Sequence, residues 1–204
     1  GLNDTVNCTG IYKEISPALR CWIYPGQHGP LDVVHGIQNS CNVFFSEMGH
    51  RLSMDENGNY SPELGIEKIR KYASLFGLDE TSGIEIAERE PQMTTEKPEA
   101  SSIGQGKNSY SNVQLSRYIT AVANKGTVFK LSLLDKMTDS QGNLLEDFTP
   151  EVRSVIDVND STWNAVLTGM RRVISDGSAR KIFSDLEVDI AGKTGTAEEI
   201  KNGH

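Results

Sequence analysis

The sequence predicts an α+β fold, in which amphipathic helices pack against mostly antiparallel strands. Three observations support this prediction: several segments carry apolar residues at helical spacing, shorter segments between them alternate apolar and polar residues, and no segment is repeated. The 204 residues are 37% hydrophobic and 24% charged, which is enough apolar material for a packed core. From its length, we expect the chain to be one domain or a piece of one.

Charge and hydropathy exclude two classes of function. The chain has 20 Lys and Arg against 28 Asp and Glu, a formal net charge of -8, which opposes binding to a phosphate backbone. Nucleic acid is therefore not an expected partner. No apolar stretch approaches the roughly 20 residues that a membrane-spanning helix needs, so we expect no such helix within this chain.

The first 52 residues predict an extended segment followed by two helices. Residues 1–30 are rich in Gly, Pro and Asn, which favours loops and hairpins. Pro30 is expected at the first position of a short helix that breaks near Asn39 and Ser40. A second helix follows, because Val43, Phe44, Met48 and Leu52 recur at helical spacing.

The next segment predicts a helix, a strand and a long loop. Ser61 and Pro62 are typical of a helix start, and Gly77 is typical of a helix end. Residues 83–86 alternate like a short strand. Residues 88–102 are charged and punctuated by proline, without periodicity, and are predicted to be a loop.

The last 94 residues predict a helix, a hairpin, a second helix and a final strand. Residues 111–124 have helical spacing and are followed by Gly126. Residues 127–137 and 144–148 flank a turn-forming segment, which predicts a hairpin. Residues 159–177 predict an amphipathic helix, and residues 188–191 alternate like a strand.

The final predicted strand runs into a motif of five residues, Gly192-Lys193-Thr194-Gly195-Thr196. This is not a phosphate-binding loop, because that loop needs a Gly five positions before Gly192, where this chain has Glu187. Lys193 brings a positive charge, and Thr194 and Thr196 bring hydroxyl groups to one face of a strand. Gly195 lets a ligand approach the backbone, so the motif predicts a site for an extended ligand that carries a carboxylate.

A second motif, Ser40-Cys41-Asn42, lies at the predicted break between two helices. There a hydroxyl and a carboxamide could both point into a cleft. The alternative is ordinary helix capping by Ser or Asn, and this motif alone does not decide between the two.

With both motifs in this order, the sequence resembles the transpeptidase domain of class B penicillin-binding proteins. The resemblance extends over nearly the whole chain and includes further landmarks: Leu75-Phe76-Gly77-Leu78, Ile103-Gly104-Gln105-Gly106, Ala123-Asn124-Lys125-Gly126 and Gly169-Met170. It implies the fold of penicillin-binding proteins and serine β-lactamases, an antiparallel sheet with helices. It also implies a peptidoglycan D,D-transpeptidase, which cross-links stem peptides through a serine acyl-enzyme and is a target of β-lactams.

The resemblance also implies roles for individual residues. Ser40, Asn42 and Lys193 would be catalytic, and Thr194, Gly195 and Thr196 would bind substrate. The backbone N–H of Thr196 would be half of the oxyanion hole. Neither a cofactor nor a metal is implied.

One part of the family pattern is not found at its expected place. The family's nucleophilic Ser and its Lys base stand in a Ser-Xaa-Xaa-Lys tetrad upstream of the Ser-Xaa-Asn triad. Here only Ser178 and Lys181 have this spacing, and they follow the triad. We therefore expect the tetrad to precede Gly1 and further strands to follow His204.

The same resemblance sets expectations for partners and location. The expected partners are a peptidoglycan stem peptide ending in D-Ala-D-Ala, β-lactam antibiotics and the cell-wall synthesis machinery. The expected location is the extracytoplasmic face of the bacterial membrane, with an anchoring N-terminal helix outside this chain. Two alternatives remain: a catalytically dead sensor or scaffold domain, and a serine β-lactamase.

The cysteines are interpreted as buried or loop residues. Cys8, Cys21 and Cys41 can close at most one disulfide. The alternative is a metal site of Cys8, Cys21, His28 and His35, but this set lacks the close Cys pair and the close His pair of the usual zinc motifs. No metal is therefore predicted.

Overall fold

The computed structural model describes residues 1–195. Two compact units can be distinguished. The first contains Gly1–Ile69, Thr94–Asn108 and the chain from Asn159 onward, and the second contains Arg70–Met93 and Ser109–Val158. Both units combine helices with antiparallel strand pairs, which confirms the α+β prediction. The strands of the described residues form two-stranded sheets rather than one large sheet.

The first unit begins with four short strands. Strand β1 (Val6–Cys8) pairs antiparallel with β4 (Gly29–Leu31), and β2 (Ile11–Tyr12) pairs with β3 (Leu19–Arg20). This confirms the extended segment predicted for residues 1–30. We call residues 1–31 the lead-in segment.

Two helices follow the lead-in segment, α1 (Val33–Gln38) and α2 (Asn42–Leu52). The prediction that Pro30 begins α1 is wrong, since Pro30 lies in β4 opposite Asn7. The fixed φ of proline suits an extended strand as well as a helix start. Asp32 is the residue that begins α1, because its carboxylate accepts a hydrogen bond from the backbone N–H of His35 at 2.9 Å.

Glycines allow close packing around α1. A Cβ at Gly36 of α1 would lie 2.7 Å from the ring of Phe44 in α2. A Cβ at Gly169 would lie 2.8 Å from Cβ of Ile37, and Gly169 belongs to the long helix α6 (Asp160–Ser175) of the same unit. The two helices on either side of α1 therefore hold it tightly.

The first unit also contains the start of α3 (Pro62–Leu75), the short helix α4 (Pro98–Ser101) and the short helix α7 (Arg180–Phe183). Ser61 begins α3 as predicted, because its hydroxyl accepts a hydrogen bond from the N–H of Leu64 at 3.3 Å. Helix α4 falls within the predicted loop 88–102, and neither it nor α7 was predicted. Both span four residues, too few for a recognisable period.

The second unit is built on α5 (Asn112–Ala123). A reciprocal pair of hydrogen bonds between Ser111 and Gln114 begins this helix. Arg117 is 1% exposed and donates to the carbonyl oxygens of Gly77, Glu80 and Thr81. The buried guanidinium thus holds the loop after α3.

Two strand pairs complete the second unit. Strands β6 (Lys136–Thr138) and β7 (Leu144–Asp147) form the predicted hairpin, whereas β5 (Thr127–Phe129) pairs with β8 (Val152–Val155). The single strand predicted over residues 127–137 is therefore divided into β5 and β6. Strand β8 was not predicted.

Two predicted strands, at residues 83–86 and 188–191, have no regular structure. Side-chain contacts join both segments to their neighbours. The carboxylate of Glu85 accepts from the N–H of Leu133 at 2.9 Å, and Arg171 donates to the carbonyl oxygen of Ile190 at 3.1 Å. Alternation alone did not distinguish these segments from strands.

Every helix within residues 1–195 is too short or too polar to cross a bilayer.

Candidate functional site

Ser40 lies in the short connection between α1 and α2, in a left-handed backbone conformation with φ of 49°. Its N–H donates to Ile37 O, and the N–H of Cys41 donates to Gly36 O, both at 3.1 Å. This pair of bonds is the Schellman motif that ends many helices, and its left-handed position is usually glycine. A serine at this position holds its hydroxyl at a sharp turn, in a conformation that costs free energy.

Lys193 contacts this serine although 153 positions separate them. Its Nζ donates to Ser40 Oγ at 2.7 Å and to the carbonyl oxygen of Thr194 at 2.9 Å. Desolvation of the ammonium group lowers the pKa of Lys193 below its usual value, although the residue as a whole is exposed. The structure therefore brings together Ser40 and Lys193, the first residues of two motifs that are far apart in sequence.

Asn42 is the first residue of α2, and its side-chain amide donates to the carbonyl oxygen of Arg20 at 3.0 Å. The cap of α2 is Cys41, whose Sγ accepts from the N–H of Phe44 at 3.4 Å. The alternative function of this motif, capping by Ser40 or Asn42, is therefore not observed. Asn42 instead ties α2 to the lead-in segment.

The remaining motif residues lie in irregular backbone. Thr194 Oγ1 is 3.4 Å from Ser178 Oγ, and a Cβ at Gly195 would meet no atom of residues 1–195 within 4 Å. The approach of a ligand to the backbone at Gly195 stays a prediction. Thr196 lies outside the described residues.

Sequence reasoning missed the side chains that position Ser40. The indole Nε1 of Trp22 donates to the carbonyl oxygen of Asn39 at 2.8 Å. His35 lies 2.7 Å from Asp32 through Nδ1, and Arg172 Nη1 lies 3.0 Å from its Nε2. Since Arg can only donate, His35 accepts from Arg172 and donates to Asp32. Asp32 before an apolar segment was a detectable capping signal, whereas no local signal links His35 to Arg172.

Two cysteines and one histidine of the lead-in segment converge with Cys41, the cap of α2. The ligand-capable atoms of Cys8, Cys21, His28 and Cys41 all lie within 4.8 Å of one another. The alternative set named from the sequence included His35, but His35 contacts Asp32 and Arg172, and Cys41 is the fourth residue that converges. Contact with the Sγ of Cys41 lowers the pKa of the Cys21 thiol, and the same contact together with burial raises the pKa of the Cys41 thiol.

A cavity of about 440 Å³ lies elsewhere in the first unit. Its walls are residues 15–19, the start of α3 and residues 95–100, and none of the predicted site residues lines it. The carboxylate of Glu99 is buried beside it and accepts from the hydroxyl of Tyr60 at 2.9 Å. Burial, together with this carboxylate, raises the pKa of Tyr60 to about 12.

Comparison with known proteins gives a consistent result. A family model described as "Penicillin binding protein transpeptidase domain" matches residues 2–204. The chain is 28% identical to penicillin-binding protein H of Bacillus subtilis (strain 168) over 193 residues, which cover 86% of this chain and 26% of that protein. It is 27% identical over 188 residues to the peptidoglycan D,D-transpeptidase MrdA of Escherichia coli (strain K12), covering 84% of this chain and 28% of that protein. The chain thus spans about a quarter of the length of these relatives.

The fold is also similar to solved structures. One is a chain from a study of the structural coordination of polymerization and crosslinking by a peptidoglycan synthase complex. The TM-score is 0.83 and the sequence identity 23%, over 99% of this chain and 34% of that chain. The described strands and helices therefore belong to a known fold.

Proposed function

Because this chain belongs to the penicillin-binding protein transpeptidase family, we propose that it carries part of the active site of a peptidoglycan D,D-transpeptidase. That part contains the Ser-Xaa-Asn triad and the Lys-Thr-Gly motif. The contact that supports the proposal most directly is the 2.7 Å hydrogen bond from Lys193 Nζ to Ser40 Oγ. It joins the two motifs whose order first indicated the family.

The contact has a clear chemical use. In an acyl transfer, a proton must leave the attacking group and reach the leaving amine, and a positioned hydroxyl can relay it. Lys193 donates to Ser40 Oγ, so the lone pairs of that oxygen are oriented and a developing negative charge on it is stabilised. We assign the relay to Ser40 and the positive field to Lys193.

Substrate binding is assigned to the neighbouring residues. Thr194, Gly195 and Thr196 would contact the carboxylate of the substrate, with Lys193 supplying the opposite charge. Asn42 would bind an amide carbonyl of the stem peptide. In the structure one N–H of its amide group donates to the carbonyl oxygen of Arg20, and the second N–H of the same group would serve the substrate carbonyl.

The nucleophilic serine is proposed to lie outside residues 1–204, in a part of the protein that supplies the Ser-Xaa-Xaa-Lys tetrad. Ser178 has the spacing of the tetrad with Lys181, but these residues lie around the four-residue helix α7. The short contact of Lys193 is with Ser40, whereas Ser178 contacts Thr194 at 3.4 Å. Because the tetrad is proposed to lie outside these residues, we also propose that residues 1–204 are part of one transpeptidase domain.

The proposed partners follow from the family and from the relatives' names. They are the D-Ala-D-Ala end of a peptidoglycan stem peptide, β-lactams that imitate it, and other proteins of cell-wall synthesis. The similarity to a chain from a peptidoglycan synthase complex supports the last of these. We place the domain on the extracytoplasmic face of a bacterial membrane, where its substrate is found.

Covalent labelling of the full-length protein by a fluorescent penicillin tests the proposal. Lys193→Ala should slow acylation by about 100-fold or more, because it removes charge stabilisation in the transition state. Asn42→Ala should slow it about tenfold, the value of one hydrogen bond of about 1.4 kcal/mol. Unchanged labelling of both variants would show that the site assignment is wrong.

Lys181→Ala is the matched control, since Lys181 is an exposed lysine 12 positions before Lys193. Labelling should be unaffected, and its loss would instead assign the tetrad to Ser178 and Lys181. A folded wild-type protein that takes no label would support the catalytically dead alternative. Rapid release of the label by hydrolysis would support a β-lactamase.

A further inference from the structure

Four side chains that could bind a metal ion converge beside the Ser-Xaa-Asn triad. They come from four separate places in the chain: Cys8 ends β1, Cys21 follows β3, His28 precedes β4, and Cys41 caps α2. The three cysteines are 0–2% exposed and all have free thiols. Their convergence is produced by the strand pairing, because Cys8 is opposite Gly29, next to His28.

Three of the distances within the cluster match those of a tetrahedral zinc site. Zn–S bonds of about 2.3 Å and Zn–N bonds of about 2.0 Å at the tetrahedral angle separate two sulfurs by about 3.8 Å and a sulfur from the nitrogen by about 3.5 Å. Here Cys21 Sγ is 3.9 Å from Cys41 Sγ. His28 Nδ1 is 3.5 Å from Cys8 Sγ and 3.6 Å from Cys21 Sγ.

The histidine distinguishes a metal site from an ordinary apolar core. Cysteines alone pack well as small apolar residues, but His28 directs Nδ1 at two sulfur atoms, while its Nε2 is buried without a hydrogen-bond partner within the described chain. Burying an imidazole with so few partners is costly. An ion would make Nδ1 a ligand and leave Nε2 as the protonated nitrogen.

A disulfide explains less of this arrangement. The S–S bond is about 2.05 Å long and joins only two of the three thiols. A bond between Cys21 and Cys41 would leave Cys8 and His28 facing an uncharged sulfur pair. Three sulfurs and one imidazole nitrogen within 4.8 Å instead match the Cys₃His set of structural zinc sites.

We propose that Cys8, Cys21, His28 and Cys41 bind one zinc ion. With four protein ligands, the coordination shell is closed, so the ion is structural and takes no direct part in catalysis. Binding releases the thiol protons to solvent, and three thiolates with Zn²⁺ leave a net charge of -1. The ion joins the lead-in segment, whose strands have two or three residues each, to the start of α2.

The position of Cys41 gives the ion a role in positioning the triad. Cys41 lies between Ser40 and Asn42, and Asn42 already donates to Arg20 in the lead-in segment. A Zn–S bond to Cys41 therefore fixes the backbone on which both side chains stand. This consequence rests on the function proposed above, whereas the existence of the metal site does not.

Metal analysis of the full-length protein tests the site. The protein is purified without a metal-affinity resin, and its metal content is measured by inductively coupled plasma mass spectrometry. We expect one zinc per chain in the wild type and in His50→Gln, and a loss of most of the zinc in His28→Gln and Cys8→Ser. His50 is the matched control because it pairs with Glu99, away from the cluster.

A second measurement uses only the wild-type protein, so that the test does not depend on whether the variants fold. Wild-type protein in which cobalt replaces zinc should show thiolate-to-cobalt charge-transfer bands and the d–d bands of a tetrahedral ion. The three thiols should resist alkylation until a chelator is added. Metal-free wild-type protein, iron in place of zinc, equal zinc in His28→Gln and His50→Gln, or a Cys21–Cys41 disulfide found by mass spectrometry would each overturn the proposal.

The two proposals can fail separately. Zinc content does not depend on acylation, so a protein with zinc that takes no penicillin would contradict the proposed function alone. If both hold, removing zinc from the wild type should slow acylation by penicillin. Unchanged acylation after removal would overturn the positioning role of the ion and leave the metal site intact.

Discussion

Ser40 combines a chemical role with an unfavourable backbone conformation. Its φ of 49° is at the position of the Schellman motif where glycine is most common. Its hydroxyl meets Lys193 at 2.7 Å. A side chain is needed here for the contact, and the backbone strain is the cost of placing that side chain at the turn.

Substituting Ser40 separates these two effects. Ser40→Gly should raise the free energy of unfolding by up to about 1 kcal/mol, because glycine adopts this conformation without a Cβ clash. Acylation by penicillin should be lost, since the hydroxyl is gone. Urea denaturation and penicillin labelling of the full-length protein measure the two outcomes.

Ser40→Ala is the comparison, because it removes the same hydroxyl but keeps the Cβ. It should lose acylation without gaining stability. If the glycine variant proves no more stable than the alanine variant, Ser40 is not strained in the native state.

Helix α1 has six residues and depends on its surroundings for stability. Isolated helices of this length are unstable in water, so its position must come from contacts. Asp32 caps its first turn, His35 links that cap to Arg172 of α6, and Gly169 lets α6 pack against Ile37. The helix ends at the turn that carries Ser40, so these contacts position the triad.

The cap of α1 should make stability depend on pH. Burial raises the pKa of Asp32, but hydrogen bonds from His35 and from the backbone N–H of Val34 outweigh it, so the native pKa lies below its usual value. Asp32 therefore stabilises the fold above its unfolded pKa, and this contribution is lost as the pH falls through the native pKa. Asp32→Ala should cost about 1 kcal/mol at neutral pH, and the difference from wild type should shrink as the pH falls from about 5 through the native pKa of Asp32.

Urea denaturation across this pH range checks the prediction. Asn159→Ala is the control, because Asn159 holds the equivalent position at α6 without a side-chain cap hydrogen bond. It should change stability by less than about 0.5 kcal/mol at every pH. A cost for Asp32→Ala that stayed constant down to low pH would argue against a charged cap.

The described chain leaves much apolar surface uncovered. Leu133, Leu144, Leu145, Val152 and Val155 of the second unit are 49–69% exposed, and in the first unit Ile182 is 75% exposed. The paired strands have two to four residues, and isolated two-stranded sheets are marginal in water. Contacts among residues 1–195 therefore leave a large part of the hydrophobic driving force unused.

Residues 1–204 expressed alone should not melt as a cooperative monomer. Each large apolar side chain left exposed forfeits roughly 1.5–3 kcal/mol, against a total stability of about 5–15 kcal/mol for a typical domain. Differential scanning calorimetry and analytical ultracentrifugation should show a broad transition, aggregation or association. A sharp two-state transition in a monomer would refute the argument, and the full-length protein is the positive control.

Local patterns were sufficient for most helices and for one hairpin. The boundaries of α2, α3, α5 and α6 follow from apolar spacing and end signals, because these depend on neighbours within a few positions. The β6–β7 hairpin follows from its turn residues in the same way. The order of the two motifs was also visible in the chain, and the family match confirms the resemblance it indicated.

Only the tertiary structure revealed the contacts between distant residues. The 2.7 Å contact of Lys193 with Ser40, the link from His35 to Arg172 and the convergence of Cys41 with Cys8 each join residues 33 to 153 positions apart. Segments 83–86 and 188–191 alternate like strands but are held by Glu85 and Arg171. The spacing of residues along the sequence carries no information about such contacts, because the packing of helices and strands decides them. The side chains that meet there need no common local pattern.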